Sequence, residues 1–143
     1  FWALRESIPE AERRDGGSVK HDISVRVSRI PKFLKEAERI LGAIAPHRLS
    51  VFGHVGDGNL HCNLLPPIGS TLESFKEGPA GRLSDAIHEL AVSLGGSFSA
   101  EHGIGVLKRD DLKKYQSPVS VGLMQTLKHA LDPQGIMNPG KVV

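Results

Sequence analysis

The stretch Val51-Phe-Gly-His-Val-Gly-Asp-Gly-Asn-Leu-His-Cys-Asn63 constrains the fold of this chain more than any other. Asp57-Gly58 lies between two short apolar runs, which is a strong hairpin signal. A two-residue turn there pairs Gly56 with Asn59, Val55 with Leu60 and His54 with His61. Directly opposed residues of an antiparallel pair have Cβ atoms roughly 4.5–5.5 Å apart on one face. The expected register therefore sets two imidazoles side by side. Asn63 follows two residues after His61 and shares that face. Val51, Val55, Leu60 and Leu64 make the opposite face apolar, suited to packing on a core. Two imidazoles so placed chelate a divalent metal if a third protein ligand joins them and coordination positions stay open. Hydrogen bonding at a sheet surface is the blander alternative, and a register-matched pair favours the metal over it.

The third ligand is expected from Glu101-His102-Gly103-Ile-Gly105, delivered by a short strand Ser97–Ala100. Glu101 completes a His-His-Glu set with room for substrate. His102 is a candidate general base, because an imidazole titrates near neutrality. The glycines at 103 and 105 allow close backbone approach, but their spacing fits neither glycine-rich nucleotide motif.

Elsewhere, strands and helices alternate. Phe1 to Arg14 carries Trp2, Leu4, Ile8 and Ala11 on a helical face, with Arg5 among its charges. Val19 to Val27 alternates as a strand, with Lys20, Asp22, Ser24 and Arg26 on its polar side. Ser28 to Ala45 is expected to be a helix with an apolar stripe of Phe33, Leu34, Ala37, Ile40, Leu41 and Ile44. His47 reads as an exposed loop histidine. A polar loop is expected from Gly69 through Gly81, then a helix from Arg82 to Leu94 with His88 on its surface side. Leu107 to Tyr115 is charged and helical. Ser117-Pro118 opens a last helix with Val121, Met124, Leu127 and Leu131 as its stripe. The methionines read as core or gap filler. The tail Ile136-Met-Asn-Pro-Gly-Lys141 gives Asn138 and Lys141 no partner from pattern alone. A tight hairpin amid alternating elements predicts an α+β fold. It would be a largely antiparallel sheet covered by helices on one face, with ferredoxin-like split βαβ character, its other face presenting His54, His61 and Asn63.

Length and composition set the outer limits. The chain has 143 residues with 39% hydrophobic, enough for one core. A formal charge of +2, without a basic patch interleaved with aromatics, argues against nucleic acid. A lone Cys62 excludes an internal disulfide and a thiol zinc knuckle, and suits a reducing compartment. No apolar run reaches membrane-span length and no signal peptide opens the chain. A cytoplasmic location is favoured, with peripheral membrane association left open. Because the chain opens Phe-Trp, it is read as a piece of a longer protein.

Three segments taken together resemble a known family: His-Val-Gly-Asp-Gly-Asn-Leu-His, Ser-Ala-Glu-His-Gly-Ile-Gly and Asp-Pro-Gln-Gly-Ile-Met-Asn-Pro-Gly-Lys. In this order they resemble the C-terminal region of FAD-linked D-2-hydroxyacid dehydrogenases. That family includes D-2-hydroxyglutarate dehydrogenase, the FAD-linked D-lactate dehydrogenases and the glycolate oxidase flavin subunit. Trp-Ala-Leu-Arg-Glu and Val-Lys-His-Asp-Ile-Ser resemble its substrate-domain segments, so the likeness runs from end to end. The resemblance implies that residues 1–143 are the C-terminal substrate- and metal-binding domain of a larger enzyme whose N-terminal FAD domain lies elsewhere. It also implies that His54, His61 and Glu101 bind the metal, that His102 is the base, and that Arg5, Lys20 and Asn63 bind substrate. Asn138 and Lys141 would return to the flavin. His21 departs from the aromatic residue that the 2-hydroxyglutarate enzymes tend to carry, which bears on the substrate more than on the chemistry.

The implied reaction is oxidation of a D-2-hydroxy acid to the 2-oxo acid. Its cofactors would be FAD, held mainly by the other domain, and a divalent metal. Zinc suits two imidazoles and a carboxylate, while iron and manganese stay open. Partners would be the hydroxy acid, the chain's own FAD domain and an electron acceptor; a homodimer is allowed. The chain alone is expected to carry no flavin. Two rivals are a metal-dependent hydrolase using His54, His61 and Glu101, and a non-catalytic metal-stapled binding module.

Overall fold

Apolar residues four apart along one helix and two apart along one strand decide where the core forms. A computed structural model describes Phe1–Val143. It comprises two units, Phe1–Glu101 and His102–Val143. In the first, the elements run α1 (Trp2–Arg14), β1 (Asp22–Ser24), α2 (Ile30–Ile44), β2 (Arg48–Phe52), β3 (Asn59–Leu65), α3 (Leu72–Glu77) and α4 (Ala80–Ser93). Ile30, Phe33, Ala37 and Leu41 bury one face of α2, and Ala80, Leu83, Ile87 and Ala91 bury one face of α4. The two helices pack together against Ile23, Leu60, Cys62 and Leu64 of the sheet. Each such large apolar side chain contributes roughly 1.5–3 kcal/mol when fully buried. Burial also pushes the Cys62 thiol up to about 12, so it remains a protonated, inert part of the core.

The sheet order is β1-β3-β2, with both pairings antiparallel. β1, the crossover helix α2 and β2 enclose β3, which is the split βαβ arrangement. The fold is α+β, as the alternation predicts. The second face of the sheet is not bare. Glu12 of α1 accepts from Asn63 Nδ2 at 2.9 Å and from Ser18 Oγ at 2.8 Å. Arg5 lies 5.8 Å over the Phe52 ring. Asn63 is thus buried beneath α1 instead of standing on an open surface.

Several local expectations change. The strand expected over residues 19–27 is regular only at Asp22–Ser24, with an isolated bridge Val19↔Leu64 in the same register. Val27–Arg29 has already turned into a 3₁₀ segment. Ser97 makes a single bridge to Ser24, so Ser97–Ala100 is no strand of its own. Within the expected loop 69–81, Thr71 accepts from Ser74 N at 3.2 Å and caps α3, which buries Phe75. The cap residue read as a loop marker is equally a helix start. His88 is buried, not on the surface, and stacks edge-on to His21 at 5.4 Å. His21 itself is held in the interior. Its Nδ1 lies 2.9 Å from Cys62 O, to which it donates, and its Nε2 lies 2.8 Å from Ser84 Oγ. His47 is half-buried, with Nδ1 2.9 Å from Ala45 O.

The hairpin is the main correction. β2 ends at Phe52 and β3 starts at Asn59, so His61 faces Phe52 and not His54. Asp57 N and Asn59 N both bond back to His54 O, at 2.9 and 3.2 Å, closing a 3₁₀ turn over Val55–Asp57. Gly58 leaves that turn at φ 77, and a Cβ there would lie 2.0 Å from Val25 O. The turn is therefore built around a glycine that admits no side chain. Gly58→Ala should cost at least about 1–2 kcal/mol from the left-handed backbone alone, before the clash is added. Urea unfolding measures it, and a wild-type midpoint would refute this account of the turn.

The second unit contains α5 (Arg109–Tyr115) and α6 (Pro118–Leu131), with Ser117 capping α6 through Ser120 N at 3.1 Å. Leu112 of α5 is buried, whereas the expected stripe of α6 is not: Leu127 and Leu131 are exposed. Met137 is exposed too. No helix of the chain is long and apolar enough to cross a membrane. Asp132 ties the end of α6 to the tail. Lys128 donates to it, and Ile136 N and Met137 N do so at 3.0 and 2.9 Å. The Lys128 hydrogen bond is the main cause that holds the Asp132 carboxyl below its ordinary value. Burial opposes it and the two backbone donors assist. A carboxyl depressed by folding stabilises only while ionised. Its contribution is complete above about pH 5, past the unfolded value near 4, and disappears as pH falls through the lower folded value. Asp132→Asn should lower the melting temperature at neutral pH. The gap from wild type should begin to narrow as pH falls below the unfolded value of about 4 and close only once pH has passed the lower folded value; a gap independent of pH would refute the assignment.

Candidate metal and substrate site

The polar face of the sheet is assembled by register. β1 sets Asp22 opposite His61, and β2 sets Phe52 on the other side of the same histidine. Rows on one face of a sheet place their side chains together. His61 consequently lies between a carboxylate and a ring, with its centroid 5.2 Å from that of Phe52. Asp22 is fully buried and His61 largely so.

His54 reaches the same place from the loop. Its Nδ1 lies 2.8 Å from Glu101 Oε1, and His61 Nε2 lies 3.7 Å from Glu101 Oε2. The two imidazoles thus converge on one carboxylate without being paired in the ladder. His54 and Glu101 are 46% and 43% exposed, so the cluster opens to solvent on their side. Two imidazoles and a carboxylate with an open side are a donor set that fits a divalent metal such as zinc. A cavity of about 360 Å³ adjoins Glu101, lined also by Ser24, Asp57, Asn59, Ser97 and Ser99.

Glu101 is held from behind. Its backbone N–H donates to Asp22 Oδ2 at 2.6 Å, and Ala100 N donates to the same oxygen at 3.2 Å. Asn59 Nδ2 donates to Asp22 Oδ1 at 2.7 Å. Asp22 and Asn59 were absent from the sequence-derived site. The available signal was the single acid on the polar side of the strand expected over residues 19–27, and it identifies a partner only once β1 is known to pair with β3.

The remaining expected residues fall into different places. Arg5 lies over Phe52, one ring removed from His61, and its Nε is buried without a hydrogen-bond partner. Lys20 is exposed and lines a separate cavity of about 450 Å³ beside α1, with Glu6, Glu10, Glu12, Arg13 and Ser18. Asn63 binds Glu12, and its Oδ1 accepts from His21 N at 3.3 Å. His102 follows Glu101 in the chain, is exposed, and opens the second unit. Within that unit Asn138 and Lys141 line one cavity of about 450 Å³ with Lys128 and Met137. Asn138 adopts φ 48, in a turn where Lys141 N donates to its carbonyl at 3.2 Å.

Known proteins place this arrangement in context. The chain is 42% identical to a D-2-hydroxyglutarate dehydrogenase of Stutzerimonas stutzeri, over 99% of the chain and 30% of that protein. It is 42% identical to the mitochondrial D-2-hydroxyglutarate dehydrogenase of Rattus norvegicus, over 100% of the chain and 25% of that protein. The mitochondrial D-2-hydroxyglutarate dehydrogenase of Arabidopsis thaliana is 36% identical over 100% of the chain and 24% of its own length. The chain therefore spans less than a third of the length of these relatives. Residues 1–142 match the family described as FAD linked oxidases, C-terminal domain, and the chain belongs to that family.

Proposed function

We propose that this chain is the C-terminal substrate- and metal-binding domain of an FAD-linked dehydrogenase that oxidises a D-2-hydroxy acid to its 2-oxo acid. The observation that carries the reading is the convergence of His54 Nδ1 and His61 Nε2 on the Glu101 carboxylate. Family membership and the names of its relatives favour this chemistry over a metal-dependent hydrolase or a non-catalytic module. Those names also favour D-2-hydroxyglutarate over lactate or glycolate as the substrate.

His54, His61 and Glu101 hold the metal, zinc being the ion that suits them best. When bound, the metal supplies Lewis acidity that lowers the hydroxyl pKa, and FAD supplies an acceptor for the α-hydrogen with its electron pair. His102 takes the hydroxyl proton on an imidazole nitrogen. Arg5 holds carboxylate through its fixed fork of donors, and Lys20 offers a second cation. Asn63, tied to Glu12, backs the strand that carries His61, and Asn138 and Lys141 meet the flavin.

Glu101→Gln should bind zinc more weakly than wild type and regain part of its activity in excess zinc. Metal analysis on the purified protein, before and after zinc addition, measures this; equal zinc uptake by wild type and His54→Ala/His61→Ala would reject the ligand set. His102→Asn should keep its metal and flavin, yet reduce flavin about 10²–10⁴-fold more slowly on mixing with D-2-hydroxyglutarate. The deficit should shrink as pH rises, because the hydroxyl then ionises without help. Stopped-flow bleaching of the flavin follows it. A variant that lost its metal would make His102 a ligand, and one reduced at the wild-type rate would remove it from the mechanism.

A further inference from the structure

We propose that Asp22 is a positioning residue of the metal site, whose buried carboxylate sets the tautomer of His61 and the placement of Glu101 and thereby the affinity for a divalent cation. The proposal rests on the reading of His54, His61 and Glu101 as metal ligands. Asp22 is fully buried. Oδ2 accepts from the backbone N–H of Glu101 at 2.6 Å, so the ligand's main chain is anchored one bond from its Cα. Oδ1 lies 3.9 Å from His61 Nδ1, on the opposite edge of the ring from the Nε2 that faces Glu101. The same Oδ1 accepts from Asn59 Nδ2 at 2.7 Å, and Asn59 Oδ1 faces His54 N at 3.5 Å. One carboxylate is thus connected to each of the three ligands, by a different route in each case.

Register, not a chance rotamer, makes the link to His61. Asp22 and His61 are directly opposed in the ladder between β1 and β3. A carboxylate on the far nitrogen of a ligating histidine keeps the proton there, leaves the near nitrogen free for metal and raises its basicity. For a strand residue facing only the interior, an apolar side chain would avoid the desolvation cost of a carboxylate. The position instead holds an acid surrounded by donors that belong to, or adjoin, the ligands. Asp22 touches neither substrate nor the reacting atoms on this reading. It acts through His61 and Glu101.

Zinc affinity of the protein, measured by competition with a chromophoric chelator, tests this in wild type and Asp22→Asn. The asparagine keeps an acceptor for Glu101 N but turns an amide N–H₂ toward Asn59 Nδ2, which donates there, and toward the nearby Nδ1 of His61. Affinity should fall about 10–100-fold, with equimolar zinc still bound at saturation. A merely structural role predicts a lower melting temperature for the metal-free protein with unchanged zinc affinity in the folded fraction, and that result overturns the proposal. Imidazole ¹⁵N spectra of zinc-loaded wild type give a second readout that needs no variant to fold. His61 should bind zinc through Nε2 and retain its proton on Nδ1, whereas metallation at Nδ1 overturns the proposal. Wild-type protein that takes up no zinc overturns the underlying ligand assignment, an outcome distinct from a wild type and Asp22→Asn that bind equally well.

Discussion

A carboxylate sealed in a protein interior is stable only if donors surround it, and Asp22 is such a group. The donors around it include Glu101 N, Ala100 N and Asn59 Nδ2. Those donors come from the segment after Ser97 and from the first residue of β3, which are far from β1 in sequence. The requirement to satisfy one charge therefore fixes three pieces of chain against each other. A hydrogen bond to a charged group is worth about 1.5–3 kcal/mol net, and an orphaned charge costs more than that. The Ser97–Ala100 segment, with only one bridge to β1, relies on this anchor where a regular strand would rely on its ladder.

Much of the fold was legible because periodicity reports faces. The hairpin shows how such a reading can err in pairing and still be right about the face. The expected partner of His61 was His54; the observed one is Phe52. That difference is two residues along β2, and the side-chain period of a strand is two. A slip of one would have turned His61 into the core. A slip of two leaves His61 and Asn63 on the polar side and Leu60 and Leu64 on the apolar side. What the Asp-Gly signal did not reveal is that His54 O accepts two backbone N–H groups and widens the connection. His54 then belongs to a loop, and meets His61 through Glu101 instead of across the ladder.

Where the reading failed, the deciding contact was long-range. His88 sits on a helix whose polar positions usually meet water, but His21 and Phe98 close over it. Asn63 was expected on an open face, and Glu12 of α1 covers it. The amphipathic pattern of α6 was correctly helical, yet periodicity identifies an apolar stripe without saying whether anything in the chain covers it. Leu127 and Leu131 stay exposed for that reason. Asp22 was the largest omission. A single acid in a strand carries no periodic signal, and its meaning depends on which strand lies beside it.

The site grades from rigid to open across a short distance. Asp22 and Asn59 are buried, His61 is mostly enclosed, and His54 and Glu101 are nearly half exposed. A catalytic metal site needs both qualities. Enclosed supports fix the direction of the donors, while an exposed side leaves coordination positions for a substrate hydroxyl and carboxylate. Under the proposed assignment His54 stands on a turn and His61 in the central strand, which divides those tasks between loop and sheet. The division also explains why the turn is built around Gly58. A side chain there would meet Val25 O and displace the turn that carries His54.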